Sequence, residues 1–144
     1  MFFRHFADKR EVLFAGSEEL QRRMVDALTG APRGAEPMDA ITIALLAAAE
    51  LFADRRDHSR RRQAVIAATP ELREREFIKM ASLVTAFTEA LRQRGVGPAT
   101  ASLAAETGIA VFRVSFERWV AGPEDADLAD VMRGTLADLS ELTA

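Results

Sequence analysis

The sequence predicts an all-α protein, a single helical bundle of about six helices. Three observations carry this expectation. Ala, Leu, Glu and Arg dominate, while Tyr is absent and Val and Ile are sparse, which is a composition of good helix formers. No stretch alternates apolar and polar residues as a half-buried strand does; apolar residues recur three and four apart instead. Proline and glycine fall where helices would start and stop.

The elements follow in order. Asp8 and Glu11 have the spacing of a capping box, which starts a helix carrying Val12, Leu13, Leu20, Met24, Val25 and Leu28. The Gly/Pro-rich "TGAPRGAEP" stops it and reads as a mobile, solvent-facing loop. Pro37 suits the first position of a second helix, expected to run to about Arg56, with Met38, Ile41, Leu45 and Phe52 at helical spacing. A connector leads to a short third helix, Ser59 to Ala68. Thr69-Pro70-Glu71 is a helix start with Thr69 as N-cap, and Phe77, Met80, Ala81, Val84, Phe87 and Leu91 follow on one face. Gly95 suits a left-handed C-terminal position. Pro98 opens a fifth helix that ends near Ala121, before Gly122-Pro123. The sixth is expected from Asp125 to about Leu142.

Composition bounds the function. The chain has 144 residues, 49% hydrophobic and 28% charged, as one globular domain requires. Its most apolar run, "AITIALLAAAELFA", is broken by Glu50 and falls short of the roughly 18 residues of a membrane span. Cysteine is absent, so disulfides and thiolate metal sites are excluded and a cytoplasmic location is the default. The net charge of -3 gives no general attraction to nucleic acid.

Catalytic signatures are missing. With two histidines, there is no HExxH pair, and Phe2 and Arg55 stand where a Glu-x-x-His di-iron pattern needs glutamate. No phosphate-binding glycine loop and no GxSxG elbow occurs. The expectation is no enzyme, no cofactor and no metal.

The opening residues Met1-Phe2-Phe3-Arg4-His5-Phe6-Ala7-Asp8-Lys9 resemble the end of the DNA-binding domain of TetR-family transcriptional regulators. There the recognition helix closes on a pattern close to Thr-Leu-Tyr-x-His/Tyr-Phe-x-Ser/Asn-Lys. His5, Phe6 and Lys9 match; Met1 and Phe3 replace the family's Thr and Tyr. The resemblance makes Phe3, His5 and Lys9 the backbone-contacting positions of an intact protein on DNA. A lysine at a helix N-terminus fits phosphate binding. It also divides the chain into residues 1–7, a remnant of a recognition helix, and residues 8–144, an effector-binding and dimerisation domain. The helices that hold a recognition helix in the groove do not precede it in this chain. DNA is therefore expected as a partner only where they are present, and specific binding is not expected of the chain as it stands.

"RRRQAVIAATPELRER" and "ETGIAVFRVSFERW" are similar to the C-terminal domain of many actinobacterial members of that family. The resemblance implies a ligand pocket among the helices and a homodimer through the last two. It points to a repressor released by a small molecule, and the aromatic and Met content of the candidate pocket favours an apolar or aromatic effector. Candidate pocket residues are Met24, Leu46, Phe52, Phe77, Met80, Val84, Phe87, Phe112 and Phe116. Ser82, Thr85, Thr88, Ser115 and Gln63 are the hydroxyl and amide groups in reach. Candidate interface residues are Val111, Val114, Trp119, Leu128, Met132 and Leu136. Arg55, Arg56, Arg60, Arg61 and Arg62 read either as a solvated face or as a contact to the DNA-binding domain or an anionic effector. The alternative function is a stand-alone all-helical dimer that senses nothing. A cavity well beyond about 300 Å³ separates the two.

Overall fold

The computed structural model describes residues 14–144. Six helices follow one another: α1 (Ser17–Thr29), α2 (Pro37–Leu51), α3 (Arg56–Ala68), α4 (Pro70–Gln93), α5 (Pro98–Ala121) and α6 (Leu128–Thr143). Among the described residues there is no strand. The Asp8–Glu11 capping box lies outside them. The single long helix expected from Asp8 onward is interrupted: Phe14 is helical, Ala15 and Gly16 form a turn, and Gly16 takes φ +87°, a left-handed conformation that glycine adopts without strain.

Three helices open on proline: Pro37, Pro70 and Pro98. Proline pre-sets the helical φ and lacks the N–H that the first turn would leave unpaired. Thr69 occupies the N-cap of α4, but its hydroxyl makes no capping bond; its carbonyl accepts from Leu72 and Arg73, both at 3.0 Å. α2 stops at Leu51, sooner than expected, and α3 starts at Arg56, three residues earlier than Ser59. α6 begins at Leu128 and not at Asp125, because the Asp127 carboxylate caps it by accepting from the Ala129 N–H at 3.3 Å.

Two helix ends are closed by arginine. α4 finishes in a Schellman motif: Gly95 has φ +94°, its N–H donates to Arg92, and the Val96 N–H donates to Leu91. Just before it, Arg94 donates to the carbonyls of Thr29 (3.3 Å), Ala31 (2.9 Å) and Pro32 (2.7 Å). The start of the loop expected to be mobile is thus held against the end of α4. Arg56, buried at the start of α3, donates to the carbonyls of Trp119, Val120 and Gly122 at the end of α5.

α5 is the hub. It packs on α2, α3, α4 and α6, while α1 lies against α2 and α4. The core joins Met24 and Leu28 of α1, Ile41 and Leu45 of α2, Leu83, Phe87 and Leu91 of α4, Phe112 and Trp119 of α5, and Leu128 and Met132 of α6. Small residues set its tightest point. A Cβ at Gly108 of α5 would meet Ile41 Cγ2 at 2.6 Å, so α2 and α5 approach through a glycine. A second small cluster, Phe14, Ile66 and Leu72, seats α3 against the start of α4. No helix among the described residues is long and apolar enough to cross a membrane.

Candidate functional site

α3 does not pack flat on the bundle. It bridges α4 and α5, and between it and the rest of the molecule lies a groove of about 720 Å³. The groove is bounded by the start of α1, the end of α2, and α3, α4 and α5. Its apolar lining includes Leu20, Leu51, Phe52, Ile66, Phe77, Met80, Phe112 and Phe116.

The aromatic part of that lining is fixed by ring contacts. Phe52 meets Phe116 edge-on at 5.1 Å between centroids, Phe116 lies 6.0 Å from Phe112, and Phe116 meets Trp119 at 5.5 Å. Edge-on geometry is the favoured one for such pairs. Trp119 is itself anchored, since its indole N–H donates to the Ala126 carbonyl at 2.9 Å. Phe77 is different: it lines the groove yet is 75% exposed, so it stands at the mouth.

Charged groups occupy one wall. Glu76 accepts from Arg62 at 3.0 Å through Oε2 and from Lys79 at 3.4 Å through Oε1. All three side chains are mostly buried, with 13%, 21% and 15% exposure for Arg62, Glu76 and Lys79. Burial, seconded by the nearby Arg62 charge, holds the Lys79 ammonium below the usual lysine value against the pull of Glu76. The Arg62 guanidinium also lies over the Phe14 ring, 4.9 Å from its centroid. Arg55, His58, Gln63, Arg73, Arg113 and Glu117 complete the polar lining. A second cavity of about 690 Å³, more polar, opens between α1 and α4 and is lined by Arg75, Ser82 and the same Lys79.

Phe52, Phe77, Met80, Phe112 and Phe116 from the sequence-derived pocket set all line the groove, as does Gln63. Met24 and Phe87 are fully buried in the core, and Leu46 and Val84 are half-buried away from the groove. The hydroxyls of Thr85 and Thr88 donate back to the carbonyls of Ala81 and Val84, Ser115 is buried, and Ser82 lines the second cavity. The candidate interface stripe divides. Val111, Trp119, Leu128 and Met132 are buried within the chain's own core, because the apolar faces of α5 and α6 pack on each other and on α2. Val114 and Leu136 are half-buried. Phe3, His5 and Lys9 lie outside the described residues.

Sequence reasoning did not single out Glu76 and Lys79. Their signal was present: an acid and a base at i, i+3, each one residue before Phe77 and Met80.

Among the described residues no cluster of histidine, aspartate and glutamate could hold a metal ion. A lateral groove in an all-helical bundle, largely apolar with aromatic side chains along it, is the kind of concave site that a small organic ligand requires. Residues 35–144 match the family model described as the MftR C-terminal domain, and the chain belongs to that family of TetR-type C-terminal domains. No curated protein matches the chain.

Proposed function

We propose that this domain is the effector-sensing and dimerisation half of a transcriptional repressor, released when a small, largely apolar molecule enters the groove beneath α3. One observation carries the reading: a groove of about 720 Å³ walled by aromatic and aliphatic side chains from five helices. A volume of that size suits a small organic ligand, and the bundle could have closed over it with a few larger side chains. Met80 on its wall is a flexible side chain that adapts to varied ligand shapes.

The position of α3 gives occupancy a consequence. A ligand that wedges α3 away from α4 and α5 favours one arrangement of that helix over another, and such differential binding is what allostery requires. The outer faces of α5 and α6, with exposed Leu103, Ala110 and Ala137 and half-buried Val114, supply the surface for a second copy; a two-fold interface needs only one such self-complementary patch.

The experiment is a titration with octan-1-ol followed by Trp119, the sole tryptophan, whose ring touches Phe116 on the groove floor. A saturable change in its emission supports the reading; a strictly linear response with added alcohol refutes it. Sedimentation of the wild type against Val114→Arg addresses the pairing, with a dimer converted to a monomer of unchanged helicity as the expected result.

A further inference from the structure

We propose that Lys79 is a covalent capture point in the groove, condensing reversibly with aldehydes that carry an apolar body. This rests on the groove being the effector site.

The choice of residue is the first argument. The chain has 19 lysine and arginine residues, and all but Lys9 and Lys79 are arginine. Among the described residues, every lysine or arginine is therefore arginine except Lys79, which lines both cavities. Arginine cannot lose its proton in a protein and is a poor nucleophile; lysine can become a free amine when desolvated.

The second argument is the carboxylate. Glu76 holds Lys79 by Oε1 and Arg62 by Oε2. When Lys79 gives up its charge, Glu76 keeps Arg62 as its counter-ion, so no buried carboxylate is orphaned. The burial that lowers the affinity of Lys79 for its proton acts in the same direction. Glu76 is also placed to carry protons. It takes one from the ammonium, leaving the amine lone pair to form a C–N bond at the aldehyde carbon. The carbonyl oxygen takes a proton from the newly bonded nitrogen and becomes the carbinolamine hydroxyl. That hydroxyl leaves as water with the proton returned by Glu76, and the product is the protonated imine, which keeps the positive charge of the original ammonium beside the Glu76 carboxylate. One water is released, and no oxidant or reductant is needed. The apolar tail then lies along Phe77, Met80 and Phe112.

The experiment treats the full chain with octanal and sodium cyanoborohydride near neutral pH and maps the reduced adduct by mass spectrometry. Lys9 and the N-terminal amine serve as internal references. The expected result is an octyl group on Lys79 in preference to Lys9, suppressed by excess octan-1-ol. Lys79→Arg is expected to lose that adduct completely, and Glu76→Gln to slow its formation without moving it. Saturable octan-1-ol binding with Lys79 labelled no faster than Lys9 overturns the capture proposal and leaves the groove as an effector site. Absence of both alcohol binding and Lys79 labelling overturns the two together. The wild-type result and Glu76→Gln keep the test decisive if Lys79→Arg does not fold.

Discussion

Arg56 closes the end of α5 by donating from Nε to the carbonyl of Trp119 at 3.3 Å, across 63 residues of sequence. The guanidinium fork continues to Val120 at 3.2 Å and to Gly122. The last carbonyls of a helix have no intrahelical donor, and a cation there also complements the helix dipole. Replacing Arg56 by Met keeps much of the stem but leaves those carbonyls without a donor, at an expected cost of about 2–4 kcal/mol. Lysine, a single point donor, should recover less than half of the loss. Chemical denaturation of the two variants measures both.

Gly108→Ala is expected to destabilise the bundle in spite of alanine's better helix propensity. The gain from propensity is about 1 kcal/mol. Against it stands a 2.6 Å approach to Ile41 Cγ2, on a β-branched side chain that is fully buried and stiff at χ1. Overpacking of this kind costs about 1–3 kcal/mol, and the clash wins. In an Ile41→Ala background, where Cγ2 is gone, the same substitution should cost little, so a double-mutant cycle shows strong coupling between the two positions.

Phe77 separates binding from folding. At 75% exposure it contributes little to the core, so Phe77→Ser should change stability by no more than about 0.5 kcal/mol. It lines the groove, so the same variant should bind octan-1-ol more weakly. Phe112→Ala is the opposite case: Phe112 is 2% exposed, and its truncation should cost about 3 kcal/mol or more. Thermal melts paired with the fluorescence titration distinguish the two.

Lys79 gives the stability curve an alkaline slope. Its folded-state value is lowered below 10.5, so between the two values the unfolded chain binds more protons than the folded one. Stability from this group therefore rises with pH across that window. Below it, the folded state bears the full penalty of a buried ammonium. Lys79→Met removes the penalty, so its stability relative to wild type should be greatest near neutral pH and shrink as pH climbs toward 10.5. Denaturation midpoints at neutral and alkaline pH check the sign.

Most of the fold was legible because its punctuation is chemical. Pro37, Pro70 and Pro98 open helices, and Gly95 ends one at φ +94°, for reasons local to the backbone. The aromatic half of the groove was legible for a similar reason, since Phe52, Phe112 and Phe116 stand out in a sequence of small aliphatic residues. Periodicity could not tell which apolar residues face a cavity and which face the core. Met24 and Phe87 repeat at the same helical spacing as groove residues and differ only in what packs against them. The same limit applied to α5 and α6, where the stripe of Trp119, Leu128 and Met132 is spent inside the chain. The buried role of Arg56 was hidden among five arginines that look alike in sequence.

Arg94 and the three carbonyls it holds at Thr29, Ala31 and Pro32 are separated by 62 to 65 residues. A bond of that span requires α1 and α4 to be docked, and the prediction is that it forms after the transition state. Interactions absent from the transition state govern how fast a protein comes apart, not how fast it assembles. Arg94 therefore acts on the lifetime of the folded domain: its removal should hasten unfolding and leave the refolding limb of the kinetics almost where it was.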